Sequence, residues 1–104
     1  MITTTRLAKA LLDPLMQLGD TPGKIAIALR HRRIRGYKGD MTSCPLAEYL
    51  KTIYPSMCIM VGVKRISING LVVSPIPKRL QQFIEFFDEG KYPFLDNNPD
   101  TNAH

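Results

Sequence analysis

The first half of the chain alternates between apolar and polar positions with the period of an α-helix. Residues 5–18 repeat Leu and Ala every three or four positions and predict an amphipathic helix. Pro14 interrupts this pattern, so the helix either kinks there or restarts with Asp13 as its cap. A second helix is predicted to begin at Pro22 behind Thr21 as N-cap and to stop before the glycines that follow.

A third helix follows a turn-rich loop over residues 36–43, which contains two glycines. Ser43 is expected to cap this helix, with Cys44 and Pro45 in its first turn. Pro55 is expected to end it, because proline cannot continue a helical hydrogen-bond ladder. The N-terminal half is therefore predicted to be helical.

The hydrophobic period then changes from that of a helix to the twofold alternation of a strand. The Asn-Gly dipeptide at 69–70 lies between β-branched runs and predicts a β-hairpin with a two-residue turn. In such a hairpin Ile68 faces Leu71, and Ile66 faces Val73. A short antiparallel hairpin is therefore expected after the three helices.

The remaining elements complete a small α+β fold. The apolar run 57–63 either adds a third strand or extends the hairpin. After the hairpin, an apolar stripe at helical spacing predicts a last helix that ends near Gly90; the stripe comprises Leu80, Phe83, Ile84 and Phe87. Residues 92–95 are expected to fold back on the core. The sequence thus predicts one domain over residues 1–95 and a disordered tail over residues 96–104.

Three helices followed by a hairpin is also the element order of a winged helix-turn-helix domain. In that interpretation residues 46–54 would form the recognition helix, and residues 64–65 would lie on the wing. The connection between the second and third helices is about eight residues, however, longer than a tight helix-turn-helix allows. The third helix also offers just Lys51 and Thr52 as groove contacts, where a recognition helix normally carries several donors.

The positive charge of the chain is concentrated in one segment. The chain has 14 Lys and Arg against 9 Asp and Glu, a formal net charge of +5. We call residues 29–38 the basic tract; its cations are Arg30, Arg32, Arg33, Arg35 and Lys38, and Tyr37 lies among them. Without these five cations the chain is balanced, so the excess charge is local and favours an anionic partner.

Three interpretations of the basic tract remain open. The cations are suited to nucleic-acid phosphates, with Tyr37 stacking on an exposed base. They are also suited to an acidic protein surface, where arginine is a favoured anchor. Cations near a helix C-terminus complement the helix dipole and need no ligand. We therefore expect a small non-enzymatic binding protein, nucleic-acid-associated or regulatory, with a small inhibitor or adaptor of an acidic protein as the alternative.

Catalytic chemistry has weaker support. A helix N-terminus lowers a thiol pKa, so Cys44 could form a Cys-His-Asp set with His31 and Asp40, but a structural thiol is the favoured interpretation. With Cys58 the thiols are too few for a disulfide framework and lack zinc-site spacing. No nucleotide-binding or protease motif is present. We expect no enzyme activity, metal or cofactor, and, without an apolar stretch of membrane-spanning length, a cytoplasmic protein.

Two segments of the chain are distinctive: RGYKGDMTSCPLAEYL, residues 35–50, and FFDEGKYPFL, residues 86–95. Together they resemble a pattern of small uncharacterised bacterial proteins. In the pattern an R-G-x-x-G stretch leads to C-P-x-A-x-Y-L, and a late F-D-x-G-x-Y-P closes the domain. The resemblance transfers no activity and no functional residue. It implies a bacterial cytoplasmic or phage-linked setting, in which small domains often act by binding.

Overall fold

The computed structural model describes residues 4–97, and within them the fold is α+β, with four α-helices and a small antiparallel sheet. The helices are α1 Thr4–Met16, α2 Pro22–His31, α3 Pro45–Ile53 and α4 Lys78–Asp88. The strands are β1 Ile59–Val61, β2 Arg65–Ile68 and β3 Leu71–Pro75, and a 3₁₀ turn, η1, covers Pro93–Leu95. The α+β class predicted from the sequence is confirmed.

The first two helices follow the local signals that predict them. Helix α1 runs through Pro14 as one element. Helix α2 begins at Pro22, and the hydroxyl of Thr21 accepts a hydrogen bond from the Lys24 N–H at 3.2 Å. This bond satisfies one of the free N–H groups at the helix start, which is why threonine suits the position.

Helix α3 is capped one residue later than the sequence predicts. Its N-cap is Cys44, whose sulfur accepts a hydrogen bond from the Ala47 N–H at 3.5 Å. The expected cap, Ser43, belongs to the preceding turn, where its N–H donates to the Asp40 carbonyl and its own carbonyl accepts from the Tyr37 N–H. Because that turn already uses the Ser43 backbone, the helix begins behind the thiol.

The three strands form one antiparallel sheet in the order β1-β2-β3. Asn69 and Gly70 connect β2 to β3 with φ angles of 51° and 85°, the left-handed conformations that a two-residue type I′ turn requires. The apolar run before the hairpin supplies β1, so of the two sequence-based alternatives the structure contains the third strand.

The register of the hairpin differs from the prediction beyond its first pair. Ile68 lies opposite Leu71 as expected, but Ile66 lies opposite Ser74 and not Val73. A bulge between Ile66 and Ser67 inserts an extra residue into β3. Such bulges bend a strand and locally increase its twist, and no feature of a strictly alternating pattern signals them.

One hydrophobic core lies between the inner sheet face and the helices. The sheet contributes Ile59, Val61, Ile66 and Ile68, and the predicted stripe of α4 contributes Leu80, Phe83, Ile84 and Phe87, all buried. Helix α1 packs against β3 and α3, α2 packs against α4 and η1, and α3 packs against β1. Within the described residues no helix is long and apolar enough to cross a membrane.

The segment after α4 returns to the start of the loop between α2 and α3. The Gly36 N–H donates to the Leu95 carbonyl, and the Asn97 N–H donates to the Gly36 carbonyl, both at 2.9 Å. Leu95 is fully buried, and Asp96 is 2% exposed. Asp96 and Asn97 therefore lie against the domain, although the sequence predicts a tail from residue 96; residues 98–104 lie outside the described part, and their predicted disorder stays a prediction.

Candidate anion-binding site

The basic tract begins on the last turn of α2 and continues into the following loop. Helix α2 ends at His31, so Arg30 is helical, whereas Arg32 is the C-cap and the later cations belong to the loop. The Arg33 N–H donates to the Arg30 carbonyl at 3.0 Å, and the Ile34 N–H donates to the Leu29 carbonyl at 3.0 Å. These two bonds form a Schellman motif, which satisfies carbonyls at the helix end.

The residue that follows the cap in this motif has an unfavourable backbone. Arg33 has a φ of 58°, in the left-handed region where a side chain costs about 1–2 kcal/mol and glycine is the usual choice. Helix α4 ends in the same motif, but there Gly90 takes the equivalent position with a φ of 85°. The end of α2 thus has an arginine at the position that glycine occupies at the end of α4.

Three arginines of the tract meet at one concavity. Arg30, Arg33 and Arg35 line a depression of about 430 Å³ together with Ile34 and Phe94. All three arginines are exposed, and none of the described residues that line the concavity is acidic. Such an arrangement favours an anion, because guanidinium groups present several donors in a fixed fork.

Phe94 lines this concavity and belongs to a series of aromatic contacts that reaches the core. The Arg30 guanidinium lies 5.2 Å from the centroid of the Phe94 ring. Phe94 contacts Tyr92 with ring centroids 6.1 Å apart, and Tyr92 stacks on buried Phe83 at 5.5 Å. Because Phe83 is fixed in the core, the series restrains the position of Arg30. Phe94 is a member of the site that the basic composition alone does not reveal.

The structure places the other predicted ligands elsewhere. The Arg32 guanidinium lies over the Tyr49 ring at 5.7 Å, and its Nη1 donates to the Ala28 carbonyl at 3.1 Å. Tyr37 is 47% exposed, but it does not line the concavity. The tract therefore divides into three arginines around the concavity and other residues outside it.

Lys38 is largely buried and lies beside a buried carboxylate. Its Nζ lies 3.5 Å from Oδ2 of Asp96, and the side chains are 16% and 3% exposed. A charge buried to this extent normally requires a partner. Lys38 therefore compensates the Asp96 carboxylate beside the Gly36 backbone, and its expected contact with a ligand stays a prediction.

The two segments that resemble the bacterial pattern contact each other here. The Gly39 N–H donates to Oδ1 of Asp88 at 3.0 Å, and the Gly36 N–H donates to the Leu95 carbonyl. Residues far apart in the chain thus jointly hold the loop that carries Arg35. The loop conformation depends on the C-terminal segment.

Cys44 is buried and lacks the lowered pKa that a reactive cysteine would have. Burial raises the pKa of Cys44 from 9.0 to about 11, which outweighs the lowering effect of the N–H groups at the start of α3. The sulfur also donates to the Val61 carbonyl at 3.7 Å. Asp40 accepts from the Thr42 N–H and hydroxyl at 2.9 and 2.7 Å, and these bonds lower the pKa of its carboxyl. His31 is exposed. The burial of Cys44 agrees with the structural thiol that the sequence favours.

Comparison of the chain with protein-family models, with curated proteins and with solved structures finds no match. The geometry of the concavity is therefore the basis for assigning a function.

Proposed function

We propose that the protein binds nucleic acid through its sugar-phosphate backbone, with Arg30, Arg33 and Arg35 as the phosphate contacts. The observation that carries the proposal is the left-handed arginine at the end of α2. An unfavourable backbone conformation persists where the surroundings or the function require it, and such residues cluster at ligand sites. Arg33 brings its charge to the concavity at a position where glycine would be more stable.

The arrangement favours backbone contact over reading of base edges. Guanidinium groups on a loop rim, supported by one aromatic ring, match phosphate recognition, which positions a protein without specifying sequence. A base stacking on Tyr37 outside the concavity is compatible with this mode, because every base presents a π-face. We therefore expect binding with little sequence preference.

A winged-helix mode of binding is not part of this proposal. The groove contacts that such a mode would need from α3 already have partners in the fold. Lys51 pairs with Glu48 at 3.0 Å, and the Thr52 hydroxyl donates to the Tyr49 carbonyl at 2.6 Å. The α3 residues on the core side are buried. We therefore assign binding to the concavity, and the cytoplasmic setting expected from the sequence stays a prediction.

Salt dependence tests the proposal directly. Three phosphate contacts give a slope of log K against log salt of about −2 to −3. Affinity for a labelled oligonucleotide, measured by fluorescence anisotropy, should fall by about 20- to 40-fold between 50 and 200 mM salt. Single-stranded and duplex oligonucleotides of mixed sequence should be compared. Absence of binding to both at 50 mM salt would refute the proposal.

The decisive variant is Arg33→Gly, because the same change should weaken binding and preserve the fold. Loss of one phosphate contact should reduce the slope by about 1. Relief of the left-handed strain should leave stability equal or raise it by up to about 1 kcal/mol. Lys9→Gln is the matched control, since it removes one positive charge from the exposed side of α1. If both variants weaken binding equally, the effect belongs to net charge, and the assignment of the concavity is wrong.

A further inference from the structure

A second candidate binding surface lies on the outer face of the sheet. Met60, Ser67 and Val72 occupy one line across the three strands, because Met60 pairs with Ser67 and Ser67 pairs with Val72. Their neighbours Val61 and Ile66 point to the core and are buried. Val72 is 47% exposed. The outer face therefore presents the partly exposed apolar side chains of Met60 and Val72.

Met41 extends this face and holds a defined position. Its carbonyl accepts a hydrogen bond from the Val61 N–H at 2.8 Å, which fixes the residue at the free edge of β1. Its sulfur lies 3.1 Å from the point that a Cβ at Gly62 would occupy, so glycine allows this close approach. Met41 is nevertheless 49% exposed. Together with Val63 these residues line an apolar groove of about 350 Å³, which we call the sheet groove.

Two cations flank the sheet groove. Lys64 and Arg65 line it and are exposed, and within residues 4–97 neither forms an ion pair. Among the residues that the structure describes, no acidic side chain lines the groove. An apolar surface with a charged rim is typical of a protein-interaction site, and here the rim is positive.

We propose that the sheet groove binds an acidic amphipathic helix of a partner protein. The partner's apolar side chains would lie between Met41 and Val72, and its carboxylates would meet Lys64 and Arg65. Methionines adapt to different apolar side chains, which suits such a groove. This inference is independent of the proposed nucleic-acid binding, because it uses other residues.

A helix fits this surface better than a strand does. Strands of three to five residues span about 10–17 Å, or two to three helical turns. The β1 edge is already engaged by the Met41 carbonyl, and the bulge and Pro75 disrupt the β3 edge. Partners that lie on a sheet face must satisfy their own backbone hydrogen bonds, and a helix does so.

A second copy of the chain does not provide this partner helix in its folded form. The acidic residues Glu85, Asp88 and Glu89 are exposed near the end of α4. The apolar stripe of that helix is buried in its own core. A copy could thus supply carboxylates without the apolar side chains that the groove requires.

A synthetic helix tests the assignment. The probe is an 18-residue labelled peptide with leucines along one helical face and glutamates on the other. A scrambled peptide of the same composition and a version with lysines for glutamates are the controls. We expect the acidic helix to bind at least about tenfold more tightly than either control, because both charge and amphipathicity contribute to recognition. Equal binding of the scrambled peptide, or no binding of the acidic helix at 100 µM protein, would overturn the inference.

Variants distinguish the sheet groove from the basic tract. Val72→Glu and Lys64→Glu should each weaken peptide binding by about tenfold or more, and the milder Met41→Gln by about threefold. Arg33→Gly should change peptide affinity less than about twofold, while Val72→Glu keeps the oligonucleotide affinity of the wild type. If Arg33→Gly reduces the peptide affinity more than Met41→Gln does, the peptide binds at the basic tract, and the inference is overturned. A concentration-dependent dimer abolished by Val72→Glu would assign the groove to a second copy and also overturn it.

Discussion

A substitution at Gly36 tests whether the loop that carries Arg35 packs against the start of α3. An added Cβ at this position would lie 2.5 Å from the Pro45 nitrogen and the Ser43 carbonyl oxygen, and 2.6 Å from the Cys44 carbonyl carbon. All three are backbone atoms, so no side chain can rotate away. Gly36→Ala therefore forces the loop and the start of α3 apart.

The cost of that separation follows from the bonds it strains. Gly36 exchanges two hydrogen bonds with the C-terminal segment, and the adjacent Tyr37 N–H donates to the Ser43 carbonyl at 2.8 Å. Weakening two or three such bonds costs about 1–4 kcal/mol, and overpacking adds about 1–3 kcal/mol. We expect a loss of about 3 kcal/mol, which lowers Tm by about 10–20 °C in a domain of this size.

Urea unfolding followed by circular dichroism measures this loss, and the chain provides its own control. Gly23 lies in α2, and apart from its chain neighbours and the backbone of its own helix no described atom lies within 4 Å of an added Cβ. Gly23→Ala should therefore raise stability by about 0.5 kcal/mol through its better helix propensity. If Gly36→Ala changes the free energy of unfolding by less than about 0.5 kcal/mol, the loop does not lie against the start of α3.

Three further changes test the assignments around the site. Lys38→Gln should cost about 1–3 kcal/mol of stability, because it removes a charge partner of a carboxylate that is 3% exposed. The matched Lys24→Gln, whose pair is largely exposed, should leave the free energy of unfolding nearly unchanged in the same urea titration. Because burial raises the pKa of Cys44 from 9.0 to about 11, the neutral thiol contributes fully to the free energy of unfolding below pH 9. This contribution is lost as the pH rises toward 11, where the thiol of the unfolded chain is ionised. The stability advantage of the wild type over Cys44→Ser should thus shrink by about 1 kcal/mol between pH 8 and 10, and a constant difference would refute the burial of the thiol. Phe94→Leu should weaken oligonucleotide binding by about two- to fivefold in anisotropy titrations, since it removes the ring under the Arg30 guanidinium, and unchanged affinity would separate Phe94 from the site.

Local signals in the sequence are sufficient for the helices and for the core. The Thr21-Pro22 start of α2 and the apolar stripe of α4 each depend on neighbours within one or two turns, and both appear in the structure. Nearest-neighbour chemistry decides a helix cap or an amphipathic face. The α+β class was predictable for the same reason.

The features that were not predictable depend on residues distant in the chain. The bulge in β3 adds a residue without any change in the apolar and polar pattern. Lys38 meets its partner only because the C-terminal segment returns to Gly36. Each of these outcomes is set by tertiary contacts.

The concentration of charge in one tract does not make its cations equivalent. Lys38 compensates a buried carboxylate, and Arg32 lies over a ring of α3, so neither is available in the way that a count of charges implies. The Arg30 guanidinium lies over the ring of Phe94, a residue of the C-terminal segment. Arg33 lies at the end of α2 with a positive φ, where glycine would be more stable. Binding that depended on net charge alone would respond similarly to the loss of any of these cations. Binding at the concavity would respond to Arg30, Arg33 and Arg35, while Lys38 would affect stability first.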